Sequence, residues 1–194
     1  MYCVNAGQTV EETLKKSRFI GVVSPCADEQ EALFIIKGLH EAHPDASHIV
    51  FAYRILTPEG LVCRFFDAGE PSGTAGKPVF QHLQGKDLVN VVVAVIRYFG
   101  GVKLGAGGLT RAYVNVAKKA IEATEIVEYV VIERVKLTLD YNQLQQFEYQ
   151  LKKLNGRIVD QQFSGQIALL AELPADNKSL LIEHYPQCDS VESH

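Results

Sequence analysis

The chain has 194 residues, 47% of them hydrophobic and 22% charged, with a formal net charge of −4. That composition excludes a disordered or fibrous chain, and a chain of this length buries enough surface to need no disulfide or metal to hold its core. The longest apolar run, residues 91–96, falls far short of the ~20 residues that span a bilayer. The start Met1-Tyr2-Cys3-Val4-Asn5 lacks the pattern of a secretory signal, and Cys3, Cys26, Cys63 and Cys188 form no C-x-x-C pair. The expectation is a cytoplasmic protein with reduced thiols and no membrane contact.

The start reads as a hairpin, with strands over 9–13 and 17–23. Asp28, with Glu31 three residues on, marks a helix start in an Asp-led variant of the capping box. Ala32, Leu33, Ile35, Ile36 and Leu39 then share a helical face until His43-Pro44 stops it. Strands over 49–55 and 61–66 flank the turn Pro58-Glu59-Gly60. A loop dense in Gly and Pro fills 67–78, and 79–83 reads as a short helix. Residues 91–98 are apolar on both faces, as in a buried strand. A second glycine loop, 100–108, opens a helix from about 109 to 123, with Ala112, Val116, Ala120 and Ala123 on one stripe.

After Glu125 the pattern restarts. A strand over 131–139 leads to a helix marked by Leu144, Phe147, Leu151 and Leu154 and closed by Asn155-Gly156. Strands over 157–163 and 166–173 pair around Ser164-Gly165, followed by a helix over 179–184 and a strand over 188–192. This βαββα(β) order is ferredoxin-like. The expected fold class is α+β in two domains, 1–128 and 129–194, meeting near Glu128 without a flexible linker.

Charge is unevenly placed. Residues 88–121 hold no Asp or Glu but include Arg97, Lys103, Arg111, Lys118 and Lys119. Such a tract can attract anions to a protein that is acidic overall, or it can be a buried strand and helix that simply lack acids. Residues 1–128 carry 13 Lys and Arg against 14 Asp and Glu, and 129–194 carry 6 against 9. Any anion site is therefore expected in the first domain, with the second as an auxiliary module.

The chemical motifs are mostly near misses. Gly76-Lys77 suggests a phosphate loop, but Pro71 stands where Walker A needs Gly, and Pro78 where it needs Ser or Thr. Gly105-Ala106-Gly107-Gly108-Leu109-Thr110 approaches the dinucleotide fingerprint, yet Thr110 replaces its last Gly and the flanking elements are not serial βαβ units. What survives is general: consecutive glycines and a helix N-terminus present N–H groups to an anion, here beside Lys103 and Arg111. The same glycines could equally serve close packing or positive φ. Asp67 and Glu70 are a candidate carboxylate pair for acid–base work or a cation, but no His or Cys lies near them in sequence. A structural role, with Glu70 bridging Arg64 or Lys77, is the stronger expectation. His40 and His43 make a weak metal pair, and Ser72 and Thr74 lack a nucleophile elbow. No catalytic residue, metal or cofactor is assigned.

Taken together, Asp67-x-Gly69-Glu70-Pro71-x-Gly73-Thr74-Ala75-Gly76-x-Pro78, Arg97-Tyr98-Phe99-Gly100-Gly101-x-x-Leu104-Gly105 and Gly107-Gly108-Leu109-x-Arg111-Ala112-Tyr113 resemble the signature of the IMPACT family. Lys16-Ser17-x-Phe19 also fits, and the match covers most of 9–121. The resemblance implies a ribosomal-protein-like β-α-β domain, similar to domain IV of elongation factor G, followed by the small ferredoxin-like domain of bacterial, YigZ-like members. Eukaryotic relatives regulate translation by competing for an activator of an initiation-factor kinase, a partner that bacterial members do not share. No catalytic residue carries over.

Charge and resemblance converge on RNA or the ribosome as partner, read by charge and shape. The expected surface comprises Arg97, Gly100, Gly101, Lys103, Gly105, Gly107, Gly108, Arg111 and Lys77, with Tyr98 and Tyr113 available for stacking. The motif loop, Asp67, Glu70, Pro71, Gly73, Thr74 and Gly76, lies beside it, and Phe99 is expected in the core. Two alternatives stay open: an enzyme or binding protein for a small phosphorylated or carboxylated ligand between the loops, and a protein-interaction module with a partner in translation. The oligomeric state is not readable.

Overall fold

Residues 1–191 are described by a computed structural model, whose contacts separate into two units, Met1–Tyr129 and the chain from Val130 onward. The first unit contains β1 (Tyr2–Val4), β2 (Gln8–Leu14), β3 (Ser17–Pro25), α1 (Glu29–Ala42), β4 (His48–Thr57), β5 (Gly60–Phe66), α2 (Gly76–Gly85), β6 (Val91–Tyr98), α3 (Ala106–Glu122) and β7 (Ile126–Glu128). Five of these strands form one sheet in the order β2-β3-β6-β4-β5. β3 and β4 are each antiparallel to β6, so they run parallel to one another, joined by α1, with β6 between them.

That central place explains why β6 shows no alternation. Val91, Val93 and Val95 pack into the cluster shared with α2 and α3, while Val92 joins the cluster under α1 and Ile96 packs with Ile20 and Ile49. A strand covered on both faces has no polar side to show. The α1 start is capped as the sequence suggests. The Glu31 N–H donates to Asp28 Oδ1 at 2.7 Å, and the Glu31 carboxylate accepts from the Ala27 N–H at 2.7 Å, one residue before the cap. The buried stripe of α1 is narrower than expected: Ala32 and Ile36 are buried, but Leu33 is exposed. α3 buries Leu109, Ala112, Tyr113, Val116, Ala117, Ala120 and Ile121. It begins three residues earlier than its apolar stripe does, because the low helix propensity of Gly107 and Gly108 is overridden by packing at Leu109.

Two strands have no sequence signal. β1 and β7 are three residues each and pair antiparallel, Tyr2 with Glu128 and Val4 with Ile126, so the N-terminus closes onto the end of its own unit. Three residues are too few to display a period, and their partners lie over a hundred positions apart.

The second unit holds β8 (Ile132–Leu139), α4 (Leu144–Lys153), β9 (Arg157–Phe163), β10 (Ile167–Pro174), α5 (Lys178–His184) and β11 (Asp189–Val191). Its sheet runs β11-β8-β10-β9, the ferredoxin-like arrangement, over a core that includes Val135, Leu137, Phe147, Leu151, Leu169 and Leu173. The strand expected over 188–192 is present as Asp189–Val191, and Glu192 lies outside the described residues. The chain is thus an α+β protein of two domains. None of the described helices is long and apolar enough to cross a membrane.

Candidate anion-binding site

Strand register builds the centre of the site. Arg97, near the end of β6, lies opposite Phe19 on β3 and opposite His48 on β4, so these three side chains rise from one face of the sheet. Arg97 is only 4% exposed. Its Nη1 donates to Glu70 Oε1 at 2.5 Å, and its Nη2 donates to Ser17 Oγ at 3.4 Å. The guanidinium sits 5.4 Å from the Phe19 ring and 5.3 Å from the Phe99 ring, a cation–π contact on each. Its Nε has no partner among the described residues.

Four expectations are corrected here. Arg97 is not a surface cation, because the buried Glu70 carboxylate neutralises it. Glu70 bridges Arg97 rather than Arg64 or Lys77; Arg64 instead meets Glu29 at 3.8 Å. Tyr113 is no stacking platform. It is fully buried, and its hydroxyl donates to Glu70 Oε1 at 2.7 Å. Burial, reinforced by that carboxylate, pushes its phenol far above the usual tyrosine range. Tyr98 is half-buried, with its hydroxyl 2.8 Å from His43 Nδ1. Phe99, expected in the core, is 48% exposed instead.

The two glycine loops treat their helix N-termini differently. In the first, Asp67 turns back on its own loop and accepts from the N–H groups of Gly73, Ala75 and Gly76 at 2.8, 3.1 and 2.7 Å. Thr74 Oγ1 donates to the Pro71 carbonyl at 2.6 Å. The N-terminus of α2 thus already holds an internal carboxylate, although Lys77 beside it is exposed. The second loop has no such group. Gly105 caps α3 at a φ of 72°, a conformation costly for any residue with a Cβ; no side chain caps the helix, and its first turn contains no acid. The Leu109 N–H, donating to the Gly105 carbonyl at 2.9 Å, makes the first rung of the helix. Gly105, Ala106, Gly107, Lys103 and Arg111 are exposed, as is Gly101, while Gly108 is partly covered.

Gly100 brings in cations that spacing did not suggest. A Cβ there would lie 1.9 Å from the Lys16 carbonyl oxygen, so only glycine allows this loop to rest on the β2–β3 turn. Lys15 and Lys16, both exposed and both at positive φ, form that turn and so stand beside the glycine loop. The Gly100 N–H also donates to the buried Ser17 Oγ at 3.3 Å. Lys16 and Ser17 belong to a quoted motif, but only tertiary contact gives them a place in the site. His48 had no local signal; strand register alone brings it to Arg97 and Glu70.

A cavity of about 420 Å³ opens at the α3 N-terminus, lined by His48, Glu70, Pro71, Arg97, Phe99, Lys103, Leu104, Gly105, Ala106 and Leu109. Among the described residues, no group of three or more His, Cys, Asp or Glu side chains gathers as metal ligands would.

The profile of the Impact N-terminal domain matches residues 15–121, which contain every residue of this site. Over 168 residues the chain is 33% identical to the IMPACT family member YigZ of Escherichia coli (strain K12), across 86% of this chain and 82% of that one. The chain belongs to the IMPACT family. An IMPACT family member of Haemophilus influenzae is 37% identical over 163 residues, covering 82% of this chain and 78% of the relative. A domain of unknown function, DUF1949, matches residues 137–183, within the ferredoxin-like unit. A crystal structure of a hypothetical protein superposes with a TM-score of 0.69 at 28% identity, over 100% of this chain and 98% of that one. The fold is therefore shared with that structure along nearly the whole length of both chains.

Proposed function

We propose that this IMPACT protein is a non-catalytic regulator of translation that binds RNA or the ribosome through the basic surface around the second glycine loop. The carrying observation is the contrast between the loops: α2 has its N-terminus filled by Asp67, whereas α3 presents an uncapped N-terminus flanked by exposed Lys103 and Arg111. Lys15 and Lys16 extend that surface, and no acid interrupts residues 88–121. Phosphate oxygens suit such a set of N–H donors and lysines, and contacts of this kind read backbone charge rather than base sequence. Arg97 acts from within, holding the loop in place.

The test is co-sedimentation with ribosomes, and filter binding to RNA, across about 50 to 200 mM salt, where a binder of several phosphates loses affinity steeply. The variant Lys16→Gln, Lys103→Gln, Arg111→Gln keeps the fold and loses binding. Binding by that variant equal to the parent protein's at low salt refutes the proposal.

A further inference from the structure

The cavity at the α3 N-terminus is chemically two-ended. One end is made by Gly105 and Ala106 of the uncapped helix, with Lys103 at its edge, and favours an anion. The other end is made by His48 and Glu70 and favours a hydrogen-bond donor. His48 Nδ1 lies 2.8 Å from the Ala68 carbonyl, which can only accept, so Nδ1 carries the proton. In the neutral ring Nε2 then presents a lone pair, 3.7 Å from Glu70 Oε1. Arg97 and Tyr113 both donate to that same Oε1, and Glu70 Oε2 receives no hydrogen bond among the described residues. The Glu70 side chain is only 4% exposed, so this open oxygen belongs to a buried group on the cavity wall. It is not one of the fully enclosed atoms that lack a partner, so it opens to the cavity, where water or a ligand can supply its donor. Leu104, Leu109 and the exposed Phe99 form the apolar wall between the ends, and a volume of about 420 Å³ suits a small molecule.

We infer that this cavity binds a small organic anion that also carries a hydroxyl or ammonium donor, its anionic group at the α3 N-terminus and its donor at Glu70 and His48. The anion end of this cavity is the same α3 N-terminus that the proposed RNA surface uses, so the two ligands compete there, whereas the Glu70 and His48 end belongs to the small-molecule site alone. Phosphate and carboxylate satisfy the helix end alike, and hydroxyl and ammonium satisfy the carboxylate end alike.

The experiment is calorimetric titration of the full chain with glycerol 3-phosphate, phosphoethanolamine, glycerate and β-alanine, which cross the two anions with the two donors. Inorganic phosphate, acetate and glycerol serve as single-ended controls. At least one double-ended probe should bind about tenfold or more tighter than each of its halves, and the preferred pair names the ligand class. Ala106→Glu places a carboxylate in the exposed first turn, where it suits the helix, and should weaken that probe by about tenfold or more without lowering the melting temperature. His48→Gln, which leaves the Arg97–Glu70 pair in place, should weaken it as well. Failure of all four probes at about 10 mM, or unchanged affinity in Ala106→Glu, overturns the inference. Ribosome binding, read separately on the same protein, decides the RNA proposal whichever way the titrations fall.

Discussion

Tyr113 and Arg97 meet on a single oxygen, Glu70 Oε1, the phenol donating at 2.7 Å and the guanidinium at 2.5 Å. A helix, a strand and a loop from separate parts of the sequence are tied there by one buried carboxylate. An ion pair in such a place stabilises little over an apolar substitute, yet breaking it strands a charge. Glu70→Ala and Arg97→Ala should each destabilise by about 3–5 kcal/mol in urea unfolding. Arg97→Met combined with Glu70→Leu should lose much less than the sum of the single changes. Additive losses would show that the two residues are not coupled.

Alkaline titration should expose Tyr113. Its folded phenol stays protonated well above the pH of about 10 at which an unfolded phenol ionises, so the unfolded state releases its proton first. The stabilising contribution is complete below about pH 10 and is lost as pH rises beyond it. Tyr53, pushed up to about 12 mainly by burial and next by its hydrogen bond to Glu29, acts in the same direction. Ultraviolet titration should therefore leave these phenols un-ionised until the protein unfolds, and Tyr113→Phe should flatten the alkaline fall in stability. An unchanged profile in that variant counts against the burial.

The glycines divide into required and replaceable. Gly100→Ala drives a Cβ into the Lys16 carbonyl, backbone against backbone, and should cost at least about 3 kcal/mol. Gly107 has nothing within 4 Å of its would-be Cβ and lies in the first turn of α3. Gly107→Ala should stabilise by about 0.5–1 kcal/mol, measurable as a rise in melting temperature. A loss of stability at position 107 would contradict the open space there.

Acid should weaken the ferredoxin-like unit through Glu172. Hydrogen bonds from Arg134, and next from Arg157, hold its carboxyl below the usual carboxylate range. A depressed carboxyl contributes stability that is present above its unfolded value near pH 4 and disappears as pH falls through the folded one. Glu172→Gln should lower stability at neutral pH and flatten the acid limb of the profile. Parallel profiles for parent and variant would dismiss the contribution.

The boundary between the units can be cut. Because β1 pairs with β7, residues 1–129 close on themselves, and we expect that fragment to unfold cooperatively and to keep most of the proposed RNA affinity. Ending the fragment at residue 121 removes β7 and leaves β1 only the bridge of Tyr2 to Leu88, so its melting temperature should fall. Equal stability of the two fragments would make the β1–β7 pairing incidental.

Read alone, the sequence determined most of the elements and the ferredoxin-like order of the second unit, because helix caps, apolar periods and turn residues act over a few positions: Asp28 and Glu31 start α1, and Val91 to Ile96 reads as a strand apolar on both faces, whereas the fold type of the first unit came from the family resemblance. It also pointed to the two glycine loops. The tertiary structure alone decided which charges are available. Arg97, Lys103 and Arg111 are equivalent cations in a list of residues, but strand register sends Arg97 inward to Glu70 and leaves the other two in water. Register also carries His48 to the cavity, and the contact of Gly100 with Lys16 adds two lysines that no spacing rule connects to the loop. Electrostatic roles are set by burial and by partners many residues away, and neither is encoded in the local pattern that forms a strand or a helix.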